Sequence, residues 1–355
     1  MKIASETGTE SSAFVAGKPS LAWLEEFVPR RLLLGGHFQT IAGNFLPRKY
    51  SLPTAEKIYV QVDAATGSQV LCLCHWQPEQ VRSRRLTVVL VHGLEGSSES
   101  QYVLGNSARA WAAGCNVVRM NMRNCGGTDH LSPTLYHSGL SGDVEAVIEH
   151  VVEQHGLTAV ALIGYSMGGN LVFKLAGERG QSIPELKAVV GVSPAMDLAA
   201  SARELHRPWN RAYEWKFLRG LKNRYRRKIS LFPHIYSLQR LEGIRSLWDF
   251  DDRITAFYSG FESAEDYYYR AASTRVAQGI AVPTLAIHSV DDPFIRMLPE
   301  TRDVLLANPH VTLVETQRGG HCAFLADARG YDGYWAERAL LAFLMHSCQL
   351  EGSAL

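Results

Sequence analysis

The pentapeptide Gly164-Tyr-Ser-Met-Gly168 constrains this chain more than any other stretch. Before it, Thr158-Ala-Val-Ala-Leu-Ile163 is a short apolar run of strand type, and after it Asn170-Leu-Val-Phe-Lys-Leu-Ala176 has helical spacing. A serine between two glycines at such a junction occupies a tight elbow with its hydroxyl pushed out above the sheet edge. A side chain at either glycine would crowd the turn. The context predicts a nucleophilic Ser166 rather than a glycine-rich turn carrying an incidental serine.

A nucleophilic serine needs a base, an acid that orients the base, and donors for the oxyanion. Val282-Pro-Thr-Leu-Ala-Ile-His-Ser289 reads as a buried parallel strand that runs into Val290-Asp-Asp-Pro293. Asp292 directly precedes the proline, which favours a loop leaving the strand tip, so Asp292 is the preferred acid. Asp291 is the alternative, since one residue of register decides which carboxylate points inward. Among 13 histidines, His321 follows the last strand-like run, Val311–Glu315, through Arg318-Gly-Gly-His-Cys322. Its loop position and its neutral form near pH 7 fit a general base. His288, inside the strand before the acid, reads as a partly buried polar residue. The apolar run Leu86–Val91 ends in His92-Gly-Leu-Glu-Gly96. The amide of Leu94, with that of Met167 after the nucleophile, is the expected pair of oxyanion donors.

Around these residues the chain alternates strand and helix from Leu86 onward, after two antiparallel edge strands at Ile58–Val62 and Val70–Cys74. That order predicts a mostly parallel, doubly wound α/β sheet of about eight strands, covered on both faces, with the site at the carboxyl strand ends. One stretch breaks the alternation. From Asp197 to Thr274 there is no strand-like run, yet the segment holds Trp209, Trp215, Phe217, Tyr225, Phe232, Tyr236, Trp248, Phe257, Tyr258, Phe261 and Tyr267-Tyr-Tyr269. A loop of that length without its own structure is improbable, so a helical cap over the nucleophile is expected, with about a third of its aromatics shaping an acyl pocket. The expected division is a disordered tail over 1–17, a core over 18–196 and 275–348, and the cap insertion over 197–274.

Three further features remain open at this level. Arg219, Lys222, Arg224, Arg226, Arg227 and Lys228 form a basic run in the cap. It is either a solvated helix face or a patch for anionic headgroups, which keeps peripheral membrane contact in view. The segment Pro29–Pro47 is expected to pack over the site rim, with no role assigned to His37 or Gln39. Asn121, Arg123, Asn124 and Asp129 lie near the same rim, where structural hydrogen bonding is their expected job.

Several motifs together carry a family resemblance: Gly36-His-Phe-Gln-Thr40, Val91-His-Gly-Leu-Glu-Gly-Ser-Ser98, Met122-Arg-Asn-Cys-Gly-Gly-Thr128, Leu135-Tyr-His-Ser-Gly139, Gly164-Tyr-Ser-Met-Gly-Gly-Asn170 and Asp291-Asp-Pro-Phe294. From about Phe27 to the C-terminus the chain resembles the YheT-like α/β-hydrolases, esterase-type proteins related to mammalian α/β-hydrolase-domain phospholipases. The resemblance implies a serine hydrolase of carboxylic or lipid esters. It also implies a triad of Ser166, an aspartate of the Asp291-Asp292 pair, and His321. The alternatives are a phospholipase or lipid acyltransferase using the same triad, and a non-catalytic scaffold.

Composition adds limits. With 46% hydrophobic and 20% charged residues, the 355-residue chain can bury a large sheet, and a formal charge of +1 gives no reason to invoke nucleic acid. No run of 18 apolar residues exists to span a membrane. The polar N-terminus lacks the order of a secretory signal. The six cysteines are scattered without zinc spacing, so neither metal nor cofactor is expected, and a reducing cytoplasm is the expected compartment. The expected partner is a small-molecule ester or lipid; oligomeric state is not legible.

Overall fold

The computed structural model describes residues 14–15, 21, 23–327 and 330–349. Its sheet has nine strands: β1 (Phe14–Val15), β2 (Glu56–Asp63), β3 (Ser68–His75), β4 (Thr87–Val91), β5 (Asn116–Met120), β6 (Val160–Tyr165), β7 (Leu186–Val192), β8 (Thr284–Ser289) and β9 (Val311–Thr316). Their order is β1-β9-β8-β7-β6-β4-β5-β3-β2. From β5 through β9 every neighbouring pair is parallel, while β3 joins β5, β2 joins β3 and β1 joins β9 antiparallel.

The apolar runs dictate this arrangement. β4, β5, β6 and β8 are buried at every residue, as strands covered on both faces must be. On one face lie α2 (Gln101–Ala112) and the C-terminal helix Trp335–Ser347. On the other lie α3 (Ser141–His155) and α4 (Met167–Arg179), whose Val144, Val147, Ile148 and Val151 point inward at helical spacing. A short helix, α1 (Gly36–Phe45), lies between β1 and β2 in the chain.

Two expectations shift. Of the two antiparallel strands expected at the edge, only β2 lies there, because β3 sits between β2 and β5. The stretch 1–17, expected to be a structureless tail, contributes Phe14–Val15 as a two-residue strand on β9; the rest of it lies outside the described residues.

Between β7 and β8 the chain runs through helices without a strand. They include α5 (Leu198–Leu205), α6 (Arg211–Leu231) and α7 (Ala264–Ala271), with a π-helical turn at Asp251–Ala256. Leu218, Leu221, Tyr225, Ile254 and Tyr267 of this segment belong to the same apolar core as β4 and β5.

Candidate active site

Ser166 stands between the end of β6 and the first residue of α4, with φ 54° and ψ −116°. Holding a non-glycine residue there costs about 1–3 kcal/mol, and the surroundings enforce it. The Ser166 amide donates to the Val192 carbonyl at 3.0 Å, and its carbonyl accepts from Asn170 and Ala195 at 3.1 Å each. Gly168 allows the first turn of α4 to press on the tip of β4. A Cβ at that position would run into the carbonyls of Val91 and His92.

Asp292 and His321 meet beyond the ends of β8 and β9. His321 Nδ1 lies 2.8 Å from Asp292 Oδ2, and Asp292 Oδ1 accepts from the amides of Ile295 at 2.9 Å and Phe294 at 3.1 Å. Burial pushes the Asp292 carboxyl up, but the His321 charge, its hydrogen bond and the Ile295 amide outweigh burial and leave it below the usual carboxylate range. Asp291 serves the neighbouring loop instead. Its Oδ1 accepts from the Gly320 amide and the Ser289 hydroxyl, both at 2.9 Å. His288 is buried in β8.

The imidazole of His321 is not hydrogen-bonded to Ser166. Among the described residues the polar partner of its Nε2 is Cys322 Sγ at 3.5 Å. The two sites are nonetheless adjacent, because the Val192 carbonyl accepts the Ser166 amide and also lies 3.7 Å from Cys322 Sγ. Burial pulls the His321 pKa down, yet the Cys322 sulfur first and Asp292 second push it up, to about 10. The sulfur acts on the ring through its charge and through its hydrogen bond.

The loop after β4 is fastened from three sides. His92, fully buried and brought down to about 4 by burial, is neutral; its Nδ1 bonds the Gly93 carbonyl at 2.8 Å and its Nε2 accepts from the Met122 amide at 3.2 Å. The Gly93 amide donates to the Tyr102 hydroxyl at 2.9 Å. Glu95, at φ 58°, accepts from the Tyr136 hydroxyl at 2.8 Å and from Arg224 Nε at 2.9 Å. Among the described residues, the amides of Leu94 and Met167 have no hydrogen-bond partner.

Arg224 was legible only as one member of a basic run, and the run divides. Arg219, Arg226 and Arg227 are exposed, whereas Arg224 and Lys228 turn inward. Arg224 also donates to the Asn124 carbonyl, and Lys228 to those of Asp129 and Ser132. The expectation of a single solvated face or headgroup patch is therefore corrected for these two side chains.

The motif Gly36-His-Phe-Gln-Thr40 acquires a job as well. A Cβ on Gly36 would fall on the Asp291 carbonyl, so α1 begins hard against the acid loop. Thr40 Oγ1 accepts the His321 amide at 2.8 Å and donates to the Gly36 carbonyl at 2.7 Å. Gln39, fully buried, clamps Leu325 by donating to its carbonyl at 3.0 Å and accepting its amide at 2.7 Å. Glycine and threonine at that spacing were the signal; their partners nearly three hundred residues away were not readable. Arg123 instead makes a buried two-pronged pair with Asp143 at 2.6 and 2.7 Å, a structural role.

Ser166 opens onto a cavity with about 890 Å³ of empty space, part of it open to solvent, lined by Leu94, Met167, Leu198, Ala202, Leu205, Leu221 and Ile295 together with aromatic residues. Of the thirteen aromatics named in the inserted segment, four line it: Phe217, Tyr225, Tyr267 and Tyr268; Phe250, also from that segment, joins them. Among the described residues, no three His, Cys, Asp or Glu side chains gather as metal ligands would.

The α/β-hydrolase fold model matches residues 87–328, which span the elbow, the acid loop and the histidine loop. The chain belongs to the α/β-hydrolase family. A relative in Escherichia coli, named "Putative esterase YheT", is 31% identical over 88% of this chain and 91% of its own length. "Phospholipase ABHD3" of Bos taurus is 30% identical over 72% of this chain and 61% of its own. Among solved structures, a 2,6-dihydroxy-pseudo-oxynicotine hydrolase superposes with a TM-score of 0.55 at 17% identity, over 90% of this chain and 76% of that one. That likeness concerns the fold.

Proposed function

We propose that this α/β-hydrolase is a serine esterase that cleaves carboxylic esters through an acyl-enzyme, with Ser166, His321 and Asp292 as its triad. The observation that carries the reading is the 2.8 Å His321–Asp292 pair on loops beside a strained elbow serine that opens onto an apolar cavity. The names of the esterase and phospholipase relatives support ester substrates.

In the first half-reaction Ser166 Oγ attacks the ester carbonyl carbon as its proton passes to His321 Nε2. For that step the imidazole leaves Cys322 Sγ and turns towards the hydroxyl, pivoting on its bond to Asp292. The developing oxyanion receives the Leu94 and Met167 amides, each worth roughly 2.7–4 kcal/mol in such sites. Collapse breaks the bond to the alcohol, which takes the proton from His321 and departs. Water then repeats the sequence on the acyl-serine. The inserted helices act as a cap whose inner face holds a short to medium acyl chain.

Lipid esters are the second reading, and one surface favours it. Phe38, Ile41 and Phe45 project from α1 with exposures of 66%, 48% and 71%, and Lys216 Nζ stands 5.7 Å from the Phe45 ring centroid. Trp215, Arg211 and Arg219 are exposed on the same helix as Lys216. Apolar rings bordered by cations suit an anionic bilayer surface. Cosedimentation with anionic vesicles but not with neutral ones is the expected result, and equal behaviour with both would remove this reading. The cytoplasm, where scattered thiols stay reduced, is the proposed setting.

Covalent labelling tests the enzyme reading. A fluorophosphonate should modify the peptide that carries Ser166 and block ester turnover in proportion. Intact turnover after complete labelling contradicts Ser166 as the nucleophile, and no labelling favours a scaffold.

A further inference from the structure

One wall of the cavity carries a charge that no side chain answers. Asp251 opens the π-helical turn Asp251–Ala256, is 8% exposed, and lines the same cavity as Ser166. Its Oδ1 accepts the Thr255 hydroxyl and its Oδ2 the Tyr268 hydroxyl, both at 2.7 Å. Each oxygen keeps a second lone pair. Burial, opposed by the Tyr268 and Thr255 bonds, pushes the carboxyl up to about 6, and among the described residues no cation contributes to its electrostatics. Above that pH the group is an ion without a counterion.

The other chargeable groups of the lining do not balance it. Arg224 is paired with Glu95. His137 is brought down to about 3, by burial first and by Arg123, Arg270 and Lys174 after it, so it stays neutral. A buried carboxylate with hydroxyl donors but no counterion is costly for a fold to keep, and such groups gather where function requires them. The rings of Phe250, Tyr267 and Tyr268 line the same cavity. A carboxylate among aromatic rings complements a cationic nitrogen by charge and by ring quadrupole.

We propose that this wall is a subsite for a cationic nitrogen, either a protonated amine or a quaternary ammonium, carried by the molecule that enters the cavity. A neutral hydroxyl would fill a lone pair and leave the charge unanswered; an anion would be repelled. Applied to the reaction, this favours esters bearing such a nitrogen over neutral ones, a step that rests on the esterase reading. The binding itself does not.

Hexyltrimethylammonium and hexanesulfonate have the same apolar chain and opposite charge. In calorimetric titrations of the full chain well above pH 6, the cation should bind at least about tenfold more tightly. Asp251→Asn should bring the two within about twofold, with its melting transition retained. Equal binding by the wild type, or an undiminished preference in D251N, overturns the proposal. Should D251N fail to fold, acidifying the wild type through about 6 protonates the carboxylate and must erase the preference; its persistence overturns the proposal equally. Turnover of p-nitrophenyl hexanoate, followed in parallel, reports on ester cleavage alone. Turnover without cation preference defeats the subsite and spares the esterase reading, and preference without turnover does the reverse.

Discussion

Arg224 Nε lies 2.9 Å from Glu95 Oε1, and this bond ties the inserted helices to the loop that carries the Leu94 amide. Both side chains are largely out of solvent, at 9% and 17% exposure. Removing one partner leaves a poorly solvated charge behind. Arg224→Met should therefore destabilise the protein by about 3 kcal/mol in urea unfolding. Adding Glu95→Gln to it should restore part of that loss. Because the loop also fixes the Leu94 amide, kcat should fall further than KM rises. Strictly additive losses in the double variant would contradict the pairing.

Cys322 and His321 make a prediction about pH. A base works when its imidazole is neutral, and a pKa pushed up to about 10 delays that form to alkaline pH. Ester hydrolysis by the wild type should thus climb through the alkaline range. Cys322→Ala removes the leading upward influence, so the limb should move down towards the usual histidine range. Profiles of kcat/KM against pH, corrected for spontaneous hydrolysis, decide this; coincident limbs would exclude the sulfur's influence.

The two adjacent aspartates should separate cleanly. Asp292→Asn strips the orienting acceptor from His321 and should lower kcat by roughly 10⁴-fold. Asp291→Asn disturbs only the Gly320 amide and Ser289 bonds and should cost far less. Single-turnover rates for both variants are the measurement, and a larger loss for Asp291→Asn would reverse the assignment.

Gly36→Ala tests whether α1 helps to position the acid loop. The new methyl meets the Asp291 carbonyl, so helix and loop must part. A displacement of about 1 Å near reacting groups costs on the order of a hundredfold in rate. The expected signature is that loss in kcat with a modest drop in melting temperature. Unchanged kcat would detach α1 from the site.

The parts of this molecule that were readable in advance are those set by local pattern. The elbow showed itself because strand, glycines and helix are contiguous, and the β4 and β6 runs because buried parallel strands are nearly continuously apolar. His321 and the Asp291–Asp292 pair followed from strand ends, yet only geometry puts Asp292 rather than Asp291 on the imidazole. Arg224 and Lys228 looked like members of a charged stripe because spacing alone cannot tell which turn of a helix faces a partner loop. Asp251 reads in the sequence only as one of three acids, with Asp249 and Asp252, that offset part of the basic run. Its Tyr268 partner lies seventeen residues away. Gln39 and Thr40 reach residues 286 and 281 positions distant, a separation no sequence period encodes.

Replacing a single oxygen probes the whole scheme. Purified Ser166→Ala, shown to be folded by its melting transition, should hydrolyse p-nitrophenyl hexanoate at least about ten thousandfold more slowly than the wild type in kcat. Turnover within a few-fold of wild type would mean that another group attacks the ester, and the proposed chemistry at the elbow would be wrong.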